Sequence, residues 1–118
     1  MLSDAMTNQQ MADVYDAAAD YIEVHGWAVG ETMTATGEVC MSGAIGVSLD
    51  PEMVTPNGMH FTDISDVAWN TWFKLDAKLS DVKLDGRAVS EWNDEFAGDQ
   101  YEVINMLRDM AKDLRNAE

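Results

Sequence analysis

The chain has 118 residues and one cysteine, Cys40, with 22 acidic side chains against 7 basic ones and a net charge of −15. That length suits a single globular domain over 1–118, the lone cysteine excludes an intrachain disulfide, and no apolar run is long enough to span a membrane. All seven bases lie between Lys74 and Arg115, so residues 1–73 carry 11 acids and no Lys or Arg, a field that disfavours direct nucleic-acid binding and attachment to anionic lipid.

The N-terminus, Met1-Leu2-Ser3-Asp4, lacks the basic stretch of a secretory signal, which points to a cytoplasmic protein. Met11, Val14, Tyr15, Ala18, Ile22 and His25 then recur at three- and four-residue steps and predict a helix over 8–25. Thr7 with Gln10 forms a capping-box pattern, and Gly26 is a stop signal. Asp13, Asp16, Asp20 and Glu23 fall mostly on the opposite, solvent-facing side.

Between Trp27 and Cys40 the Thr- and Val-rich pattern around Gly37 predicts a short β-hairpin, with Trp27 and Val29 resting on a helix. Residues 40–47 predict a short helix with Cys40, Ala44 and Val47 on one side, in which Gly43 and Gly46 are points of close backbone contact. Pro51, Pro56 and Asn57-Gly58 mark residues 50–61 as a loop.

A longer helix follows, capped by Thr62, with Asp63 and Asp66 in its first turn and Lys74 and Lys78 in its last. Ile64, Ala68, Trp72, Leu75 and Leu79 form its core face, and Trp69 and Phe73 widen the apolar surface enough to predict either a central position, the favoured reading, or partial cover by another chain. Asp85-Gly86 predicts a turn, residues 89–96 another helical turn, and Asp99 with Glu102 a second capping box opening a helix that buries Val103, Leu107, Met110 and Leu114. The expected fold is α+β, mainly α: three principal helices plus a short helix, packed with a small β-hairpin.

Few constellations carry chemistry. Cys40 with His25 or His60 and with Asn93 or Asp94 has the residue types of a thiol nucleophile, base and orienting group, but no nucleophile motif surrounds the cysteine. Residues 81–92 place Lys83 and Trp92 where a calcium loop needs oxygen ligands, and one Cys with two distant His residues makes no zinc pattern. The glycines are too widely spaced for a phosphate-cradling loop, so no cofactor and no metal is expected. Met33, Met53, Met59 and Trp69 are candidates for a self-association or partner surface, with a homo-oligomer as one outcome.

Several segments, in order, carry a resemblance: Ala18-Ala19-Asp20-Tyr21-Ile22-Glu23-Val24-His25-Gly26-Trp27, Gly37-Glu38-Val39-Cys40 with Gly43-Ala44-Ile45, Trp92-Asn93-Asp94, and Glu102-Val103-Ile104 with Leu107. Together they resemble a family of small proteins with a domain of unknown function, encoded by actinobacteria and their phages, over roughly positions 12 to 111. Met41-Ser42 and the low basic content depart from the family pattern. The resemblance implies a helical domain with a small hairpin and a phage origin. It also marks His25, Trp27, Cys40, Trp92, Asn93 and Asp94 as candidates for a shared site or a shared core.

The functional expectation is a non-enzymatic accessory protein that binds a basic or neutral protein, possible nucleic-acid mimicry included, through Asp13, Asp16, Asp20, Glu23, Asp63, Asp66 and Asp94 with Trp27, Trp69 and Trp92. Two alternatives stand beside it: a thiol-dependent hydrolase or ligand-sequestering pocket around Cys40, His25 and Asn93, and a virion assembly component.

Overall fold

The computed structural model describes residues 6–60 and 66–117. Helix α1 runs Asn8–His25, α2 Met41–Leu49, α3 Asp66–Lys83 and α5 Gln100–Asn116. Between α3 and α5, α4 (Val89–Glu91) continues into a π-helical turn at Trp92–Phe96. Strands β1 (Val54–Thr55) and β2 (Gly58–Met59) form a two-stranded antiparallel hairpin after a 3₁₀ turn at Pro51–Met53. The architecture is therefore mainly α with a small β element. Among the described residues no helix is long and apolar enough to cross a membrane.

Helix α1 begins and ends where its sequence dictates. Thr7 Oγ1 accepts from the Gln10 N–H at 3.1 Å while Gln10 Oε1 accepts from the Thr7 N–H at 2.9 Å, pairing two of the donors that a helix start leaves open. At the other end Gly26 has φ +99°, a conformation that an L side chain resists, and a Cβ there would lie 2.8 Å from Glu38 Cγ. Ala12, Tyr15, Ala18, Ala19 and Ile22 are fully buried, while Met11 and Val14 are half-buried and His25 is exposed, its ring stacked on Tyr21. The three small alanines let other helices approach closely, and the buried stripe keeps Tyr15, Ala18 and Ile22 of the expected series while Ala12 and Ala19 join it in place of Met11, Val14 and His25.

Helices α1 and α5 form the dominant packing pair. Val103, Ile104, Leu107, Met110, Ala111 and Leu114 of α5 enter the same cluster as the buried face of α1. Helix α5 starts at Asp99, whose Oδ1 accepts from the Glu102 N–H at 3.0 Å, and the Glu102 carboxylate reaches back to the Gly98 N–H rather than to the cap residue. The outer edge of this seam is ionic, because Arg108 pairs with Asp16, Asp20 and Glu23, and Arg115 pairs with Asp13 and Asp16.

Helix α2 is buried all round from Met41 to Gly46, not along one side only. Its glycines make the close approaches expected of them: a Cβ on Gly43 would fall 2.4 Å from the Thr32 carbonyl oxygen, and one on Gly46 2.9 Å from Val54 Cγ2. The chain before it, 26–40, contains no extended hairpin. Single bridges join Val39 to Trp27 in parallel and to Met33 in antiparallel fashion, with Thr34 and Thr36 hydroxyls clamping the Glu38 carboxylate across the turn. The hairpin lies at 54–59, inside the stretch whose Pro and Gly content reads as loop, and its turn consists of Pro56 and Asn57. Val29 is exposed instead of packed, and Met53 is fully buried instead of available to a partner.

Helix α3 is peripheral, which corrects the central position that its aromatic content suggests. Only Thr71, Leu75 and Leu79 are buried, mainly against α2, whereas Val67, Phe73 and Val82 are exposed. The helix also runs on to Lys83, so Lys74 and Lys78 are not in its last turn. The proposed cap Thr62, first-turn Asp63 and core residue Ile64 lie outside the described residues.

Three hydrogen bonds among the described residues fasten α3 to the interior, one of them from Trp72 Nε1 to the Ser42 carbonyl at 3.3 Å. Tyr15 donates its hydroxyl to the Leu75 carbonyl at 2.5 Å, and Ser42 donates to Asp76 Oδ1 at 3.2 Å. Burial raises the Asp76 pKa above the usual aspartate range, only partly offset by the Ser42 hydroxyl. The folded state therefore favours the protonated acid, and the ionised form costs stability once the pH exceeds the ordinary aspartate value. Asp76→Asn keeps an acceptor for Ser42 without the charge. It should raise the urea midpoint at pH 7 and lose that advantage near pH 3, where Asp76 is protonated in both states; a lower midpoint at pH 7 would contradict this placement.

Candidate functional site

The residues singled out by sequence converge in part. Asn93, in the π-helical turn, is fully buried and makes four hydrogen bonds. Its Oδ1 accepts from Trp27 Nε1 at 2.7 Å and from the Met41 backbone N–H at 3.0 Å. Its Nδ2 donates to the Ala28 carbonyl at 3.0 Å and to Asp94 Oδ1 at 2.9 Å. Two acceptor and two donor positions exhaust what a primary amide offers. One side chain thus joins the segment leaving α1, the first turn of α2 and its own neighbour.

Asp94 extends this lock outward. Its Oδ1 also accepts from the Gly30 N–H at 2.9 Å, so the loop 28–32 is held at Ala28 by Asn93 and at Gly30 by Asp94. Trp92 is half-buried and packs against the main cluster, as does Trp27. Both residues belong to the π-helical turn, in which Asn93 is fully buried and Asp94 stands exposed at the rim.

Beside the lock lies a cleft of about 150 Å³ lined by Gly30, Glu31, Thr32, Cys40, Ser90 and Asp94. Cys40 is the N-cap of α2, and its Sγ accepts from the Gly43 N–H at 3.3 Å. Burial pushes the thiol pKa up, outweighing the backbone N–H groups of Gly43 and Ser42 that favour the thiolate, and Asp94 adds a further upward push. A protonated, desolvated thiol is a weak hydrogen-bonding group rather than a nucleophile.

The histidines do not join it. The exposed His25 ring stacks on Tyr21 at 4.1 Å, and His60 Nε2 lies 2.7 Å from Thr55 Oγ1 on the hairpin. Among the described residues neither imidazole hydrogen-bonds Cys40, and no group of three or more His, Cys, Asp or Glu side chains is arranged to hold a metal ion. Asn93, with its amide fully committed, orients Trp27 and α2 rather than a base.

The acidic candidates on α1 are likewise occupied, since Asp13, Asp16, Asp20 and Glu23 all face Arg108 or Arg115. Asp66 is exposed at the described start of α3, Trp69 stacks on Trp72 and meets Phe73 edge-on, and Asp63 lies outside the described residues. Glu31, Thr32 and Ser90 were missed by sequence reasoning. They are exposed or half-buried polar residues in no motif, and only the folding of 28–32 against 90–94 brings them together.

The chain belongs to DUF6197, a family of unknown function, whose model matches residues 6–113. No curated protein and no solved structure is detectably similar to it.

Removing the amide at Asn93 leaves the Trp27 indole N–H, the Met41 N–H and the Ala28 carbonyl without partners. Asn93→Ala should lower stability by about 3–5 kcal/mol, whereas Trp27→Phe, which deletes one donor, should cost far less, about 1–2 kcal/mol. Guanidinium unfolding of both variants, followed by circular dichroism, tests this ordering. Equal losses would mean that packing of the indole, not the amide network, holds the site.

Proposed function

We propose that this chain is a non-enzymatic accessory protein, phage-encoded in the setting that its sequence resemblance implies, which acts by binding a basic protein partner. The observation carrying this reading is what happens to its few cations. Lys83 pairs with Asp113, Arg108 and Arg115 pair with acids of α1, and Arg87 lies over the Phe96 ring at 4.6 Å. Four of the seven cations, Lys83, Arg87, Arg108 and Arg115, are engaged on the protein's own surface, while Glu31, Asp81, Asp85, Glu91, Asp94 and Glu95 remain exposed and form no ion pair among the described residues.

The anionic face accordingly shifts away from the α1 stripe toward the loop 28–32, the end of α3 and the 89–96 segment. A field of this sign accelerates encounter with basic proteins and repels phosphate backbones, and it matches the groove of a nucleic-acid-binding protein more readily than a neutral surface. A thiol whose pKa burial pushes up, with no imidazole hydrogen-bonded to it among the described residues, favours binding over hydrolysis at Cys40.

Immobilised protein exposed to extract from a candidate host at about 50 mM salt should retain strongly basic proteins and release them by about 500 mM, as screening shortens the range of the field. A variant with amides at positions 81, 85, 91 and 95 should retain clearly less. Release by added duplex DNA would identify a nucleic-acid-binding partner and support mimicry. Retention of no basic protein at low salt, or retention indifferent to salt, would refute the proposal.

A further inference from the structure

The cleft beside the Asn93 lock has walls with unused hydrogen-bonding capacity. Asp94 Oδ1 is already held by two N–H donors, one from Gly30 and one from Asn93, both at 2.9 Å, which fixes the plane of the carboxylate and leaves Oδ2 without a partner among the described residues. Glu31 forms no hydrogen bond or ion pair among the described residues, and the same holds for the Ser90 hydroxyl. Cys40, only 5% exposed, forms the floor; its sulfur accepts from Gly43 while its own proton has no acceptor among the described residues. Among the described residues no basic side chain lines the cavity.

Size limits the occupant. A volume of about 150 Å³ is well below the roughly 300–1,000 Å³ of pockets that enclose whole small molecules. It admits the tip of a side chain with its stem left in the opening. Charge limits it further, since two carboxylates at the rim favour a cation and exclude phosphate or carboxylate groups.

Geometry separates the two protein cations. A guanidinium binds best to a carboxylate that is held in place with both oxygens free; Asp94, the carboxylate that the lock holds in place, offers one, and Glu31, with both free, is not fixed by any partner among the described residues. An ammonium group is a compact charge with three donors, which suits Asp94 Oδ2, the Glu31 carboxylate and the Ser90 hydroxyl oxygen.

We propose that this cleft, between the 28–32 loop, the start of α2 and the 90–94 segment, is a seat for a primary ammonium group, namely the side-chain tip of a lysine on the basic partner. The proposal rests on the reading above that the partner is basic, and the seat fixes the orientation that a diffuse anionic surface cannot. Preorganisation is built in, because the amide that locks the fold also holds Asp94 in place.

The test is a titration of the full, ¹⁵N-labelled chain with N-acetyl-lysine methylamide, and separately with the arginine counterpart, at low salt. The expected result is a saturating set of amide shifts confined to Gly30, Glu31, Cys40 and Asp94, with the lysine probe binding more tightly than the arginine one. Asp94→Asn preserves the Oδ1 acceptor while removing the charge, and should weaken binding by roughly tenfold; Asp109→Asn, on α5 and outside the cleft lining, should leave it unchanged. Glu31→Gln, outside the lock, guards against a folding defect in the first variant and should weaken binding in the same direction. Shifts scattered over the whole acidic surface, equal or tighter arginine binding, or wild-type affinity in both cleft variants would overturn the seat. Retention of basic proteins without this footprint removes the seat and leaves the surface reading intact, while a footprint without retention refutes the surface reading alone.

Discussion

Everything around the candidate site hangs on one buried amide. The segment leaving α1 has no ladder of strands to hold it, only single bridges at Val39, so it needs fixing from the side. Asn93 supplies this by accepting from Trp27 and Met41 and donating to Ala28, which ties two ends of the 27–41 excursion to the turn before α5. A hydrophobic side chain in that place would fill the volume and leave the Met41 N–H and the Ala28 carbonyl unpaired, a penalty of about 1–3 kcal/mol for each group. Buried polar networks are stabilising only when every member is satisfied, and among the described residues no buried side-chain nitrogen or oxygen lacks a partner.

The same lock ties fold to surface chemistry. Because Asn93 and Asp94 are consecutive within a π-helical turn, the inward amide and the outward carboxylate stand at adjacent backbone positions. The cleft is a by-product of closing the 28–32 loop over the N-terminus of α2, and its polarity comes from Glu31, Thr32, Ser90 and Asp94. Elsewhere the charge serves structure. The α1–α5 seam uses two arginines against four acids at its solvent edge, where such pairs contribute little individually and mainly fix the register of two helices already joined by Tyr15, Ile22, Leu107 and their neighbours.

Sequence periodicity and capping signals were sufficient for α1 and α5, where Thr7 with Gln10 and Asp99 with Glu102 act locally and the apolar stripe is regular. They were insufficient where tertiary contact decides. Val39 bridges two segments at once, a pattern with no local signature, so the Thr-rich stretch reads as a hairpin while the true one hides among prolines. The aromatic content of α3 resembles that of a central helix, yet the alanines of α1 permit closer packing, and they take the centre. Trp92-Asn93-Asp94 stood out by resemblance, whereas the dependence of Trp27, Ala28 and Met41 on Asn93 spans more than 50 positions of sequence and is visible only in three dimensions.

Native-state hydrogen exchange of two protons tests the account most directly: the Trp27 indole N–H and the Met41 backbone N–H, both directed at Asn93 Oδ1. If the amide is the constraint described here, both exchange only through global unfolding, with protection equal to that of the slowest α1 and α5 amides and the same dependence on denaturant. Exchange of either proton through a local opening, at a rate indifferent to low denaturant while the helices stay protected, would show that the 27–41 segment is held by something other than Asn93.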